Sequence, residues 1–183
     1  MSGYTVLGIC GALRAGSTNR MLLNEAVRLF APQAYSEANL RLPLYDGDLE
    51  DQSGIPAEVQ TLADQIRAAN AVIIATPEYN KALPGVLKNA LDWVSRVPGG
   101  AWAGKPVAIV SAAAGRAGGE RSQYSLRHCM TPFRPRILQG PEVMIAQSGK
   151  AFDASGHLID AKSQEVLGAL MEALRAEVAL TKA

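Results

Sequence analysis

The stretch YTVLGICGALRAGSTN (residues 4–19) decides the fold. Tyr4 to Cys10 is a short, mostly apolar run that reads as a buried strand. Gly11 to Asn19 is a polar turn with two glycines. From about Asn19 the period changes, with Leu23, Ala26, Val27 and Phe30 at i, i+3, i+4 and i+7 of a helix. The same strand, turn and helix succession then repeats. A short strand is expected near Ala38 to Leu42, followed by a polar loop from Asp46 to Gly54. Pro56 opens a helix with Val59, Leu62, Ala63 and Ile66 on its buried stripe. Ala71 to Ala75 is wholly apolar and branched, as in a central strand. Pro84 opens the next helix, with Leu87, Ala90, Leu91 and Val94 on one side. Val107 to Ser111 makes a fourth strand, followed by a glycine-rich turn and a helix from Glu120 to about Met130. Ile137 to Ile145, broken by Gly140 and Pro141, makes a fifth, and a last helix runs from Lys162 to about Val178. Five strands alternating with five helices predict an α/β fold, a three-layer, doubly wound, five-stranded parallel sheet, formed as one domain over 1–183.

Composition narrows the class. The 183 residues are 48% apolar and 19% charged, an ordinary globular mixture rather than a disordered one. Lys+Arg 18 against Asp+Glu 17 leaves a net charge of +1, so no strong field draws the chain to nucleic acid or anionic lipid. No apolar run approaches the roughly 20 residues that span a bilayer. The N-terminus has no basic segment ahead of its apolar stretch, which argues against a signal peptide. Cys10 and Cys129 stand far apart with no CxxC spacing, so a disulfide framework is not expected and a reducing cytoplasm is.

In doubly wound sheets ligands bind beyond the carboxyl ends of the strands, where strand order reverses. Three loops are therefore the ones to read. In the first, Gly11 to Asn19, the turn before a helix presents free backbone N–H groups; Ser17, Thr18 and Asn19 add side-chain donors and Arg14 a cation. With Arg20 or Met21 at N3 no capping box forms, leaving amides for an outside oxyanion. The alternative is that Ser17 and Thr18 simply cap the helix. Ser17 stands where GxxxxGK[ST] requires lysine, and GxGxxG is absent, so triphosphate and dinucleotide fingerprints both fail. A monophosphate held by neutral donors fits better. The second loop, Thr76 to Pro84, carries two stiffening prolines with Glu78, Tyr79 and Asn80 between them, suited to a planar heterocycle or to an ordinary turn. The third, Ser111 to Gly119, has three glycines in five residues, which permit close ligand approach or a tight turn.

The segments GALRAGSTN (11–19), LPLYDGDLE (42–50), TPEYNKALPGVLKNALDWVSR (76–96) and GRAGG (115–119) carry a resemblance to the NADPH-dependent FMN reductase and quinone reductase family, whose fold is flavodoxin-like. That family includes chromate, azo and ferric reductases. The resemblance implies bound FMN with NADPH or NADH as reductant. It places the phosphate on Arg14, Ser17, Thr18 and Asn19, and the isoalloxazine ring against Pro77, Glu78, Tyr79 and Asn80. Ser111 and the backbone near Gly115 would close the far edge. Ala12 and Ala112-Ala113 stand where hydroxyl residues are common in the family, removing side-chain donors while leaving backbone ones. The resemblance to some members of the family also implies subunit contacts through Tyr124, Arg127 and Glu142; the alternative is that these are ordinary polar surface residues.

The expected activity is flavin-dependent NAD(P)H oxidation, a two-electron, ping-pong hydride transfer to quinones, flavins or other small acceptors such as chromate or ferric complexes. GxSxG is absent and there are only two histidines, so no catalytic side chain and no metal ligand is assigned. Backbone N–H groups near Tyr79 and Asn80 are expected to face the developing charge. Arg96 is either a helix-end cation or a reach into the acceptor pocket. The competing reading is a non-enzymatic flavodoxin-type electron carrier, which would usually be strongly acidic, unlike this chain. A homodimer, possibly a tetramer, is expected, with the Trp93–Trp102 region as interface.

Overall fold

A computed structural model describes residues 2–182. Its sheet starts with β1 (Ser2–Cys10), which leads through the first glycine turn into α1 (Thr18–Phe30), and α1 returns to β2 (Pro32–Glu37). The chain continues through α2 (Gly47–Ser53), α3 (Ala57–Ala68), β3 (Ala71–Ala75), α4 (Gly85–Arg96), β4 (Pro106–Ala112) and α5 (Glu120–Met130). It ends with the short strands β5 (Arg136–Ile137) and β6 (Val143–Ile145) and the helix α6 (Ala161–Lys182). The strands are parallel in the order β2-β1-β3-β4-β5, with β6 also on β4. Every residue of β3 and β4 is buried, as their unbroken apolar sequences require of strands covered on both faces. One face packs against α3, α4 and α5 through residues such as Leu62, Ile66, Leu91, Trp93 and Leu126. The other packs against α1 and α6 through Leu22, Phe30, Leu170 and Leu174. The three-layer doubly wound architecture is therefore as the sequence pattern implies.

Three local expectations are corrected. The second strand is Pro32–Glu37, not Ala38 to Leu42. It lies at the sheet edge, half exposed and polar, so it lacks the apolar signature of its neighbours. Ala38 and Leu40 are buried instead as the chain crosses the sheet's end, with Ala38 N–H donating to the Gly8 carbonyl (2.9 Å). The polar loop at 46–54 contains α2, capped by the Asp46 carboxylate on Asp48 N–H (3.0 Å). None of its residues is buried, so no apolar period announces it. The fifth strand is two pieces. β5 pairs with the start of β4 and β6 with its end, around a cis Gly140–Pro141 bond.

Candidate active site

Order reverses at β1, which has β2 on one side and β3 on the other, so the loops after β1 and β3 open a crevice between them. Gly11 is what lets those loops meet. A Cβ there would stand 2.9 Å from a ring carbon of Pro84 and 3.0 Å from one of Pro77. The crevice holds a cavity of about 420 Å³, within the size range of small-ligand sites. Loop one contributes Arg14 and Gly16 to Asn19; loop two contributes Pro77, Glu78 and Tyr79; loop three contributes Ala112 to Ala114. A fourth loop, after β6, adds Ser148 and Gly149, which sequence reading missed. A second chamber of about 580 Å³ shares Glu78, Ala113 and Ala114 with the first and runs on along Gly115 to Gly119 and Arg121.

Ser17 is the N-cap of α1, its hydroxyl accepting from Asn19 N–H (3.2 Å), and the first turn carries no acidic residue. Among the described residues, nothing in the protein accepts from the N–H groups of Gly16, Ser17 or Thr18. Capping and anion readiness therefore coexist. The Thr18 hydroxyl donates to Ser148 Oγ (3.1 Å), tying loop one to loop four.

Asn19 serves differently. Its Nδ2 donates to the Ala112 carbonyl (2.8 Å) and its Oδ1 accepts from Ala112 N–H (2.9 Å). β3 has already turned away at this level, with Thr76 N–H on the Val110 carbonyl. The buried Asn19 amide thus stands in for the missing strand and staples α1 to the end of β4.

In loop two, Tyr79 N–H and the Ala82 carbonyl pair, as do Ala82 N–H and the Tyr79 carbonyl (3.1 Å each). Asn80 (φ 50°) and Lys81 (φ 68°) form the tip of this tight turn. The Tyr79 N–H is therefore committed within the turn, and Asn80 lines neither chamber. Tyr79 is 53% exposed beside the cavity. Glu78 accepts from Arg121 N–H (3.1 Å), pinning the start of α5 against loop two.

Ser111 is fully buried. Its hydroxyl donates to the Gly118 carbonyl (2.7 Å) and accepts from Gln123 Nε2 (2.9 Å), so it faces neither chamber. Gly115 lines the second chamber only. Arg96 is tied to Glu50 of α2 (Nε to Oε2, 2.9 Å), away from both chambers. Cys10 ends β1 just beneath loop one, where burial pushes its thiol pKa up and makes it a poor nucleophile. Trp93 and Trp102 are 0% and 4% exposed, which corrects the expectation of an exposed aromatic interface between them. Trp93 Nε1 instead donates to the Pro43 carbonyl (2.8 Å) inside the subunit. Tyr124 donates to Glu142 (3.1 Å) and Arg127 to the Leu138 carbonyl (2.9 Å), both within one chain.

This strand order, with open amide donors at the start of α1, defines the flavodoxin-like class of doubly wound folds. The model of the NADPH-dependent FMN reductase family matches residues 4–150. An NAD(P)H-dependent FMN reductase of Pseudomonas aeruginosa is 46% identical over 172 residues, 93% of this chain and 92% of that protein. A quinone reductase of Escherichia coli is 42% identical over 162 residues, 85% of each chain. The solved structure of FerB, a flavoenzyme NAD(P)H:(acceptor) oxidoreductase from Paracoccus denitrificans, superposes with a TM-score of 0.86 at 30% identity. It covers 97% of this chain and 98% of its own. The chain belongs to the NADPH-dependent FMN reductase family and is a flavin-dependent NAD(P)H oxidoreductase.

Proposed function

We propose that the first chamber holds FMN and that the enzyme passes hydride equivalents from NAD(P)H to quinones or free flavins in a two-electron, ping-pong cycle. FMN, when bound, supplies the two-electron redox chemistry, and the protein supplies position and electrostatics. One observation carries the reading. Among the described residues, the N–H groups of Gly16, Ser17 and Thr18 have no protein acceptor, and these three residues line a cavity walled by the proline-bearing loop two. A helix start of this kind favours a phosphate through both its open donors and its dipole.

On this reading Arg14, Ser17, Thr18 and Ser148 hold the phosphate: Arg14 adds charge, Ser17 and Ser148 add hydroxyl donors, and Thr18 adds its N–H while its own hydroxyl supports Ser148. Asn19 positions the helix and does not touch the phosphate, since its amide is spent on Ala112. Pro77, Glu78 and Tyr79 wall the ring site, and the exposed Tyr79 phenol borders the face where reductant and acceptor alternate. Asn80 shapes the turn that presents Tyr79. Ser111 acts from below, holding Gly118 in place, and Gly115 belongs to the neighbouring chamber. The reading includes a cytoplasmic homodimer; Cys10 and Cys129 are both free thiols, as a reducing compartment would keep them.

The test is spectroscopic. Purified protein, or protein reconstituted with FMN, should show the flavin absorbance bands, lose them on anaerobic addition of NADPH or NADH, and regain them with a quinone. Steady-state plots against both substrates should give parallel lines. Failure to bind FMN, or failure to oxidise NAD(P)H with FMN and a quinone present, refutes the proposal.

A further inference from the structure

The FMN reading leaves the second chamber over. Its volume exceeds that of the first, and it joins the first through Glu78, Ala113 and Ala114. The functional reading above assigns the flavin to the first. The reaction, however, brings a second ligand to the same rim, a nicotinamide nucleotide that carries phosphates. A neutral quinone would have no use for cations there.

The chamber has the groups that phosphates require. Arg116 sits exposed at the tip of loop three, and its guanidinium has no hydrogen-bond or ion-pair partner among the described residues. Arg121, in the first turn of α5, is 56% exposed and only loosely paired, 3.9 Å from Glu78. The Glu78 carboxylate is the one acid in the wall. Its side chain is 16% exposed and accepts from Arg121 N–H, so much of its charge is turned inward. Among the described residues, the N–H groups of residues 114 to 119, in the loop that carries Arg116 and leads to Arg121, have no protein acceptor. Gly118 and Gly119 fix that conformation at φ 59° and 96°. At Gly118 a Cβ would lie 2.6 Å from the Met144 backbone, and at Gly119 it would lie 2.8 Å from the Ser111 Cβ. The loop is thus held in one conformation, with unclaimed amides and two cations among the residues that line one trough.

We propose that Arg116 and Arg121 seat a phosphate group of the nicotinamide nucleotide in this chamber, so that they select the reductant and not the flavin. The inference rests on the functional reading above. Planar guanidinium forks suit phosphate oxygens, and contacts of this kind from exposed side chains change binding by roughly three- to tenfold each. Pyrophosphate and 2′-phosphate share this chemistry.

Arg116→Ala, Arg121→Ala and the double variant are compared with wild type on three hydride donors: NADPH, NADH and the phosphate-free N-benzyl-dihydronicotinamide. The ratio of kcat/KM for NADPH to that for the phosphate-free donor should fall roughly ten- to a hundredfold in the double variant. A larger fall for NADPH than for NADH marks the 2′-phosphate; equal falls mark the pyrophosphate. Calorimetric Kd values for NADP⁺ should weaken in parallel, and the Kd for FMN should change less than twofold. An unchanged ratio, or an FMN affinity that falls by the same factor, overturns the proposal. If wild type oxidises neither nucleotide, the functional reading itself fails, and NADP⁺ binding still decides whether the arginines hold phosphate.

Discussion

Removing the Asn19 side chain should detach the phosphate-loop helix from the end of β4. The staple is two hydrogen bonds, 2.8 and 2.9 Å, between one buried amide and both backbone groups of Ala112. In Asn19→Ala the Ala112 N–H and carbonyl lose their partners where water has little access. Each buried unsatisfied group costs about 1–3 kcal/mol, so a loss of about 2–4 kcal/mol is expected after partial relaxation. With a urea m-value of about 2 kcal/mol/M, the midpoint falls by roughly 1–2 M. Asn19→Asp sharpens the argument. The introduced carboxylate can still accept from Ala112 N–H, but it opposes the Ala112 carbonyl, so its folded pKa rises above the unfolded value of about 4. A raised folded pKa means the contribution is fully present below the unfolded value and is lost as pH rises through the folded one. This variant should thus lie nearest wild type near pH 4 and fall further below it by pH 7. Urea melts of the FMN-free protein at both pH values, with FMN titrations at pH 7, are the assay. An Asn19→Ala midpoint within about 0.3 M of wild type would refute the staple, and so would an Asn19→Asp deficit that shrinks towards pH 7.

Three further outcomes follow from the packing. Gly11→Ala drives a methyl against the rings of Pro77 and Pro84, which cannot rotate away; it should cost about 1–3 kcal/mol in urea melts and weaken FMN binding measured by flavin fluorescence. Glu25, in α1, is 3% exposed and accepts from His157 Nδ1 (2.6 Å) and Arg28 Nε (3.0 Å). Burial pushes its pKa up, but the bonds from Arg28 and His157 outweigh it and leave the net shift downward. Its contribution is therefore present above the unfolded carboxyl pKa and lost as pH falls through the lower folded one. Glu25→Gln should cost about 1–3 kcal/mol at pH 7 and converge with wild type only as pH falls through the lowered folded pKa; a pH-independent gap would contradict this. Lys81 holds φ 68° at a turn tip, so Lys81→Gly should raise stability by roughly 0.5–1 kcal/mol, read from the same melts.

The elements that the sequence announces are those buried on two faces or striped on one. β1, β3, β4, α3 and α4 bury apolar side chains at fixed spacing, and the spacing is visible in the chain. β2 and α2 are held otherwise. β2 pairs its backbone with β1 while its side chains stay largely in solvent. α2 depends on the Asp46 cap and buries none of its residues. Neither needs an apolar period, so neither shows one. The two pieces at the sheet edge were also hard to read, because Gly140 and Pro141 interrupt one apolar run that serves opposite ends of β4.

For the site, residue type and loop position were legible, and hydrogen-bond allegiance was not. Arg14, Ser17, Thr18, Asn19, Pro77, Glu78 and Tyr79 line the first chamber, as their loops suggest, but the Asn19 amide is already spent on Ala112. Asn19 and Ser111 are the same kinds of residue in the same loops, yet both are committed inside the protein. The reason is that an amide or hydroxyl is indifferent to whether its partner is a ligand or a backbone group, and Asn19 finds its partner 93 residues away. Ser148 shows the converse. It reaches the crevice only because β6 pairs with the end of β4 and delivers the next loop there, a placement that depends on sheet register and leaves no local mark. A polar residue beyond a strand end is thus evidence for a site only after its competing backbone partners have been counted. That count is what separates Ser17, whose neighbouring amides stay open, from Ser111, whose hydroxyl is already taken on both sides.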